Sequence, residues 1–525
     1  MRVLVAELIS QEGLANLQAE VGADARYGLS RQELLEVIAG YSGLIVRGHI
    51  RVDDELLGEG KGLKVVGRAG TGVDNIDIDA ATRRGILVVN TPESNTVSAA
   101  EHTMALLLGQ IRNLPLATAL VRKGRWEKAR IRGVEVLGKT LGIIGLGRIG
   151  SMVSQMAQGM GMKVVAYDPY IALERFERFG AERMATLEEL LGCSDFITVH
   201  TPKNEETYGM VGEREFKLMK DGARVVNCAR GGIINEEALY RALKSGKVKS
   251  AALDVFDQEP CEDNPLFELD SVALTPHLGA MTVEAKRKVG RDIAEEMIRA
   301  LKGELVRCAV NLPSIMPKSL PQISPYLLLA EKMGSLFTQL FKPQMGEIEI
   351  TYRGEIIDYS LQLVTTAFLK GILSPVLEEE VNLVNASLVA EERGVRVRET
   401  RIRQANDLTS SLTLQGRKGR ISGTVYGKGD QRIVRIDDFR VDFVPSGHIL
   451  VDYHSLSHTT TPGIIGQIGM VLGRAGVNIK KIQVEGDPQR KTAIMVLNID
   501  NILPSEAKAE LSGIDGLLEV KPIKL

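Results

Sequence analysis

The chain of 525 residues is long enough for about three to five domains, and its 44% hydrophobic and 25% charged residues are typical of a soluble globular protein. A net charge of -2 and a pI of about 6.5 argue against binding to nucleic acid or to an anionic membrane through bulk charge. With 4% aromatic residues, the chain also lacks the composition of a base-stacking surface.

The four cysteines, Cys193, Cys228, Cys261 and Cys308, lie far apart and form no C-x-x-C pair. This spacing disfavours a disulfide framework and a zinc site, and it fits the reducing cytoplasm. The N-terminal stretch MRVLVAELIS has neither a basic n-region nor a cleavage site, so we expect a first strand and no signal peptide. No apolar run approaches the roughly 18–20 residues of a membrane span. We therefore expect a cytoplasmic protein that binds no membrane and no metal.

Residues 1 to about 97 alternate short apolar strands with helical stretches. The predicted strands are RVLVAEL, GLIVRG, LKVVGRAG and ILVVNTP, and the helices between them include RQELLEVIAG and DIDAATRRG. This alternation predicts a parallel sheet that is covered by helices on both faces.

A second series of strands and helices follows, opened by the helical stretch SAAEHTMALLLGQIRNL at about residue 98. Its apolar strands run into polar or glycine-rich turns, as in KTLGIIGLGRIG, MKVVAYDP, DFITVHTP, ARVVNCARGG, SAALDVF and SVALTPHLGA. Ligands bind at such carboxyl ends in open α/β sheets. Thr282 is placed to cap the long helix that comes next.

The amino-acid composition changes at about residue 311. The proline-rich stretch NLPSIMPKSLPQISPYL predicts a linker or an extended crossing, and residues 313–447 are mixed α/β without a glycine-rich phosphate loop. Residues 448–525 follow the pattern strand–helix–strand–strand–helix–strand, which predicts a ferredoxin-like module.

The stretch GLGRIG predicts a dinucleotide-binding loop, because it follows an apolar strand and opens a helix. Gly145 permits the tight turn, Gly147 lets backbone amides approach a pyrophosphate, and Gly150 allows close helix–strand packing. Asp168 ends the next strand, 18 residues beyond Gly150, where it can accept hydrogen bonds from both ribose hydroxyls and repel a 2′-phosphate. NAD is therefore favoured over NADP. The alternative is a tight turn followed by an N-cap aspartate.

Three more residues follow predicted strands: Arg230 after VVNCA, Glu259 in DVFDQEP, and His277 after SVALTP. Because parallel strands end at one edge of the sheet, the three can converge there. Histidine suits proton exchange with a hydroxyl, a carboxylate stabilises the imidazolium, and arginine binds a carboxylate or a polarised carbonyl. Each also has a simpler explanation, as a surface histidine, a turn arginine or a Glu-Pro loop.

These motifs, together with GRAGTGVDNID at 67–77, resemble the D-isomer-specific 2-hydroxyacid dehydrogenase family in the correct order over roughly residues 1–312. The resemblance implies that Arg230, Glu259 and His277 are catalytic. It also implies two Rossmann-like, doubly wound parallel-sheet domains, one of them split. Residues 1–97 and 284–312 would form a flavodoxin-like substrate-binding domain around an NAD-binding domain at 98–283.

The last two regions narrow the resemblance to a long, three-part branch of this family. That branch oxidises 3-phosphoglycerate to 3-phosphohydroxypyruvate with NAD, the first committed step of L-serine biosynthesis, and suggests a homotetramer. Residues 313–447 would then be the mixed α/β intermediate domain, of the allosteric substrate-binding type, and residues 448–525 a regulatory ACT domain.

The same resemblance extends the site. The implied cofactor-binding residues, besides the three glycines and Asp168, are Thr71, Arg148, Ile149, Thr201, Cys228, Ala229, Arg230, Asp254, His277, Gly279 and Ala280. The implied substrate-binding residues are Arg47, Arg68, Gly70, Arg230 and His277, with Arg47 and Arg68 as the candidate cations for the phosphate. The basic stretch VRKGRWEKARIRG, from Val121 to Gly133, is either a solvated face or a further source of a phosphate-binding cation, in this subunit or in a neighbouring one.

One feature departs from the family. ACT modules of this type often carry Asp-x-Pro-Gly before the first helix, but here Thr460 stands where the aspartate is expected, while Asn478 matches the usual asparagine. A threonine cannot give an amine the ion pair that a carboxylate gives, so L-serine inhibition through these two residues and a purely structural module both stay open.

Two rival functions also stay open. One keeps the chemistry but changes the substrate to glyoxylate, hydroxypyruvate or 2-oxoglutarate, although such relatives usually lack the two C-terminal domains. The other is an NAD-sensing transcriptional corepressor, which shares the dehydrogenase core but carries different tails.

Overall fold

The computed structural model describes residues 1–313, 319–342, 346–404, 409–427, 429–456, 463–487, 489 and 491–525. The described chain contains four β-sheets, each built from one continuous stretch of sequence. The first sheet is parallel and has the order β2-β1-β3-β4-β5, which is the flavodoxin-like order. Its strands are β1 (Val3–Val5), β2 (Ala23–Ala25), β3 (Gly43–Val46), β4 (Val65–Arg68) and β5 (Leu87–Asn90), and its helices are α1 (Gln11–Glu20), α2 (Arg31–Ile38), α3 (Asp54–Glu59) and α4 (Ile78–Arg83).

The second sheet has seven parallel strands and the doubly wound order of dinucleotide-binding folds. Its helices are α5 (Thr96–Ile111), α6 (Leu114–Arg122), α7 (Arg148–Gly159), α8 (Leu173–Arg178), α9 (Leu187–Cys193), α10 (Glu213–Leu218) and α11 (Glu236–Lys244). Its strands are β6 (Thr140–Ile144), β7 (Lys163–Tyr167), β8 (Glu182–Arg183), β9 (Phe196–Val199), β10 (Ala223–Asn227), β11 (Val248–Leu253) and β12 (Val272–Leu274). The strand order is β12-β11-β10-β9-β6-β7-β8, so it reverses between β6 and β9, beside the glycine loop.

The chain then returns to the first sheet. The long helix α12 (Val283–Leu301) begins at Thr282, whose hydroxyl accepts a hydrogen bond from the amide of Ala285, as the sequence predicted. Met297 of α12 fills the space above Gly43 and Gly67 in the first sheet. Residues 309–311 then pair with β5, so the first unit is built from two separate stretches of chain.

The third unit has a mixed six-stranded sheet of order β14-β13-β15-β16-β17-β18, in which only β13 and β14 pair in parallel. Its elements are α13 (Leu320–Phe341), β13 (Glu347–Gly354), α14 (Gln362–Leu373), α15 (Ala386–Glu392), β14 (Arg396–Ile402), β15 (Ser410–Gly416), β16 (Gly419–Tyr426), β17 (Asp430–Ile436) and β18 (Phe439–Phe443).

The prediction of a linker across the proline-rich stretch was wrong from Leu320 onward, where α13 begins and continues past Pro325. Pro321 lies in the first turn of this helix, where no intrahelical N–H is required. The buried residues Ile323 and Leu327 pack this segment into the core of the third unit. Burial of that apolar face outweighs the helix-breaking tendency of Pro325.

The last unit has the predicted ferredoxin-like pattern, with an antiparallel sheet of order β20-β21-β19-β22. Its elements are β19 (His448–Ser455), α16 (Ile464–Arg474), β20 (Ile479–Asp487), β21 (Thr492–Ile499), α17 (Ser505–Ser512) and β22 (Leu517–Lys524). The predicted fold class is therefore confirmed for all four units. No single described helix is long and apolar enough to cross a membrane; the bent pair of α5 and α6 passes that test only when both helices are taken together.

Candidate active site

His277 and Glu259 form a hydrogen-bonded pair beyond the carboxyl ends of β12 and β11. His277 Nδ1 lies 2.7 Å from Glu259 Oε2, and both side chains are partly exposed. Burial acts to raise the pKa of Glu259, but hydrogen bonds from His277 and from the amide of Phe256 outweigh it and hold that pKa below its usual value. Glu259 is therefore an anion that accepts a hydrogen bond from Nδ1. The Nε2 atom of His277 is left free to exchange a proton.

The turn that carries His277 is fixed by Asp254, which is buried at the end of β11. His277 has a left-handed backbone with φ 56°, a conformation that costs a non-glycine residue about 1 kcal/mol or more. The amide of His277 donates to the carbonyl of Asp254, and the amides of Leu278 and Gly279 donate to its carboxylate. Asp254 thus anchors the turn, and its predicted contact with the cofactor stays a prediction.

Arg230 is held at the neighbouring strand end by Asn227, the last residue of β10. The buried side chain of Asn227 donates to the carbonyl of Arg230 at 2.9 Å and accepts from the amide of Ala229 at 3.0 Å. The guanidinium of Arg230 donates to Asp74 at 3.1 Å, which brings the first two units together at the site. The adjacent strands β10 and β11 therefore place Arg230 and His277 through one buried polar residue each.

Arg68 lies at the end of β4 with its guanidinium against Gly70, where a side chain at that position would overlap it. Burial, with the positive charges of Arg230 and Arg47, lowers the pKa of Arg68 to about 10. Among the residues that the structure describes, its buried Nε atom has no hydrogen-bond partner. A desolvated cation among other cations favours an anion in the space that they share.

The loop between β4 and α4 makes room for both arginines. A Cβ on Gly72 would overlap the guanidinium of Arg230, as one on Gly70 would overlap that of Arg68. Arg47 is positioned separately, because its amide donates to the Glu7 carboxylate at 2.6 Å. Arg47 and Arg68 therefore lie at the carboxyl ends of strands in the first sheet, and Arg230 lies at the carboxyl end of a strand in the second sheet. The charges of Arg47 and Arg230 both act on Arg68, so the three predicted substrate-binding arginines are near one another.

The glycine loop has the geometry that each predicted role requires. Gly145 has φ 92°, and a Cβ there would lie 2.8 Å from the carbonyl oxygen of His200. A Cβ on Gly150 would overlap the carbonyl oxygen of Gly145, whereas one on Gly147 would meet nothing within 4 Å. Gly147 is the N-cap of α7, so the open space lies at the positive end of a helix.

Asp168 lies at the end of β7, and its two carboxylate oxygens accept hydrogen bonds of 3.0 Å from the amides of Leu146 and Tyr170. These local contacts orient the carboxylate, and each oxygen keeps a second lone pair for a ribose hydroxyl. Thr201 has a buried hydroxyl that finds no hydrogen-bond partner within the described part of the chain. Because buried hydroxyls are rarely left unpaired, this one fits a polar group of a bound dinucleotide.

The other predicted cofactor residues lie in the same loops. Burial raises the pKa of the Cys228 thiol to about 12, so the thiol is unreactive and does not act as a nucleophile. Thr71 donates from its hydroxyl to Asn95 at 2.7 Å, which ties the loop after β4 to the start of α5. The remaining positions are Arg148, whose Nε lies 3.5 Å from Glu93, Ile149 in the first turn of α7, buried Ala229, and Ala280 after the turn that carries His277.

The structure describes one of the two predicted effector-binding residues. Asn478 donates from its side chain to Asp500 at 2.8 Å, and Thr460 lies outside the described residues. In the basic stretch after α6, Arg125 pairs with Glu127. Among the residues that the structure describes, no group of three or more His, Cys, Asp and Glu side chains is arranged to hold a metal ion.

Several residues of the site were missed by sequence reasoning. Glu7 and Asn227 lie at strand ends, so the rule that selected Arg230 could have found them. Asp74 lies in the loop after β4, in the motif GRAGTGVDNID. His102 lies within α5 and donates from Nε2 to Asp254 at 3.0 Å, and nothing in the local sequence indicates that contact.

Comparison with protein families matches three segments of the chain. Residues 104–279 match the NAD binding domain of D-isomer specific 2-hydroxyacid dehydrogenases. Residues 322–437 match the D-3-phosphoglycerate dehydrogenase intervening domain, and residues 455–516 match the ACT domain. These matches follow the second, third and fourth units of the structure.

The chain is similar over its whole length to characterised relatives. It is 42% identical over 533 residues to D-3-phosphoglycerate dehydrogenase of Archaeoglobus fulgidus and 39% identical over 528 residues to that of Methanocaldococcus jannaschii, with 100% of each chain covered. It is 41% identical to the Synechocystis enzyme, covering 100% of this chain and 95% of the relative.

Solved structures resemble the first two units. A glyoxylate reductase from Paecilomyes thermophila has a TM-score of 0.55 and 31% identity, covering 59% of this chain and 98% of that one. The D-lactate dehydrogenase from Aquifex aeolicus, complexed with NAD and lactic acid, has a TM-score of 0.54 and 29% identity, covering 60% of this chain and 100% of that one.

Proposed function

Because the chain belongs to the D-3-phosphoglycerate dehydrogenase family, we propose that it oxidises 3-phospho-D-glycerate to 3-phosphohydroxypyruvate with NAD. The observation that carries this proposal is the pairing of His277 with an ionised Glu259 at the sheet edge that also carries Arg230 and the glycine loop. A proton acceptor, an anion-binding cation and a dinucleotide loop are the parts that oxidation of a 2-hydroxy acid requires.

In the proposed mechanism, NAD supplies the acceptor for the hydride that leaves C2 of the substrate. His277 takes the proton of the C2 hydroxyl on Nε2, because its Nδ1 is bound to Glu259. The carboxylate of Glu259 stabilises the resulting imidazolium. Arg230 binds the substrate carboxylate and the carbonyl that forms at C2.

The cofactor would be held by the residues around β6 and β7. Gly147 and the first amides of α7 would receive the pyrophosphate, and Asp168 the ribose hydroxyls. The hydroxyl of Thr201, which lacks a partner among the described residues, supports a polar contact with the cofactor beside Gly145. The negative charge of Asp168 would exclude a 2′-phosphate, so NAD is preferred over NADP.

Arg68 and Arg47 would bind the phosphate of the substrate. Arg68 is desolvated and is repelled by Arg230 and Arg47. An anion bound between these arginines would therefore stabilise the charged form of Arg68. The stretch from Val121 to Gly133, of this subunit or of a neighbouring one, would contribute a further cation; this role stays a prediction.

One assay separates this function from its rivals. NADH formation is followed with 3-phosphoglycerate, and NADH consumption is followed with phosphohydroxypyruvate, glyoxylate, hydroxypyruvate and 2-oxoglutarate. We expect the highest kcat/KM for the phosphorylated pair, and a matched series with NADP should be far slower. Turnover of glyoxylate without turnover of the phosphorylated compounds would refute the substrate. NAD binding without turnover of any substrate would favour the corepressor-like function.

We extend the proposal to the cell and to assembly. The product would feed L-serine synthesis in the cytoplasm, the active form would be a homotetramer, and L-serine would bind at the ACT module through Asn478 and the loop of Thr460. The ACT match supports a small-molecule effector, and the four sheets support the domain limits 1–97 with 284–312, 98–283, 313–447 and 448–525. Sedimentation analysis tests the tetramer. A flat activity curve up to millimolar L-serine would refute the effector.

A further inference from the structure

The turn that carries His277 depends on a single buried carboxylate. Asp254 Oδ1 accepts hydrogen bonds from the hydroxyl of Thr275 at 2.7 Å, from the amide of Leu278 at 2.7 Å and from His102 Nε2 at 3.0 Å. Its Oδ2 accepts from the amide of Gly279 at 2.9 Å. A carboxylate that is 1% exposed needs such donors, because a buried anion without them is strongly destabilised.

Three of these donors belong to the turn itself, whereas His102 comes from α5. The Nε2 atom of His102 must carry a hydrogen, because the nearer of its two partners is the Asp254 carboxylate, which can only accept. The Thr275 hydroxyl, which donates to Asp254, lies 3.2 Å from the same Nε2 and accepts from it. Histidine, threonine and aspartate thus close a hydrogen-bonded ring at the base of the turn.

The turn requires this support because His277 has φ 56°. A left-handed residue persists only where its surroundings over-determine it. The amide of His277 is bound to the carbonyl of Asp254, so a movement of Asp254 moves the backbone of the proposed base directly. The strand end is fixed on its other side, because the amide of Asp254 donates to the carbonyl of Asn227 at 2.9 Å.

We propose that His102 is a positioning residue for the proposed oxidation, which holds Asp254 and through it the turn that presents His277 to the substrate. The hydrogen bonds from His102, Thr275 and Leu278 keep the pKa of Asp254 below its usual value against the opposing effect of burial. Removal of the His102 donor leaves part of that buried charge unpaired, and the turn shifts to compensate.

His102 is also reachable from outside the site. Its side chain is 19% exposed and lines a groove of about 410 Å³ between α5 and α6, most of whose other lining residues are apolar. A change of this side chain therefore need not disturb the packing beneath it. Glu101, the preceding residue of α5, is exposed and offers a matched control on the same helix.

The test compares His102→Leu, His102→Asn and His102→Gln with Glu101→Leu in the full chain. Gln places its amide nitrogen about as far from Cβ as His places Nε2, and Asn does not reach. We expect Leu and Asn to lower kcat by about 10- to 100-fold, the cost of a small misplacement of a reacting group. The Kd of NAD should change far less than kcat, because the glycine loop and Asp168 lie outside this turn, and the solvent deuterium isotope effect on kcat should rise. Gln should restore most of the rate, and Glu101→Leu should match the wild type.

Thr275→Val is measured in parallel, because it removes one hydroxyl of the ring and reaches the same turn if the histidine variants fold poorly. A lower kcat with a larger solvent isotope effect is expected there too. Wild-type kcat and isotope effect in His102→Asn, or in Thr275→Val, would overturn the proposal. Since the proposal rests on the proposed function, wild type and His277→Asn are included. An inactive wild type would refute the substrate instead, and the series would then use whichever 2-hydroxy acid the wild type oxidises.

Discussion

Replacement of Arg68 by methionine should weaken substrate binding while it stabilises the ligand-free protein. The pKa of Arg68 falls from its ordinary value to about 10, because the guanidinium is buried and is repelled by Arg230 and Arg47. At about 1.4 kcal/mol per pH unit, this fall corresponds to roughly 3 kcal/mol of unfavourable free energy for the charged side chain. A base with a lowered pKa stays charged below about pH 10, so the folded protein carries this cost throughout the neutral range.

Methionine keeps much of the apolar stem and removes the charge, so the thermal midpoint of the ligand-free protein should rise. Loss of one hydrogen bond to a charged group costs about 1.5–3 kcal/mol, which corresponds to an increase of about 10- to 150-fold in the KM for 3-phosphoglycerate. The KM for NAD should change little, because Arg68 lies in the first unit and the glycine loop in the second.

The assay combines steady-state kinetics with scanning calorimetry in a phosphate-free buffer at neutral pH. Arg68→Lys retains the charge without the planar fork and should fall between the wild type and the methionine variant. Arg26→Met, which removes an exposed arginine from the same unit, controls for the loss of one positive charge. An unchanged KM for phosphoglycerate, or a lower midpoint for the ligand-free methionine variant, would refute the reasoning.

His277→Asn should leave the Kd of NAD unchanged and remove most of kcat, and a near-normal kcat would show that this residue is not the base. Gly147→Ala should weaken NAD binding without lowering the melting temperature, because its Cβ meets no atom of the described residues within 4 Å but faces the proposed pyrophosphate. Gly150→Ala should lower the melting temperature, since its Cβ would overlap the carbonyl of Gly145, and an unchanged melting temperature would contradict the close packing. Burial lowers the pKa of His200 to about 4, so protonation favours the unfolded chain, and stability should fall by about 1.4 kcal/mol per pH unit from pH 6.5 to about 4. His200→Gln should flatten that part of a melting-temperature profile; an equally steep profile would assign the loss to other groups.

The sequence alone determined the order of the units and which candidate residues meet at the site. Alternating apolar strands and helices specify parallel sheets, and parallel strands deliver the residues that follow them to one edge. That rule placed Arg230, Glu259 and His277 together, although 47 positions separate Arg230 from His277. The glycine spacing likewise specified which position needs a tight turn and which must stay open.

Other features were decided only by the tertiary structure. The proline-rich stretch becomes helical from Leu320, because burial of Ile323 and Leu327 in a core assembled from distant residues outweighs local preference. The ion pair of Arg230 with Asp74 joins residues 156 positions apart in two different units. Local sequence cannot specify such contacts, because they depend on how complete elements pack.

The same distinction applies to the proposed base. The sequence identified His277 by its place after a strand, but its left-handed backbone and its ties to Asp254 and His102 exist only when α5 packs beside β11. Hydrogen bonds to a buried carboxylate require donors from several elements at once, and these meet only in the folded chain. The sequence thus indicated which groups would carry the proposed chemistry, and the packing of distant elements decided how firmly each is held.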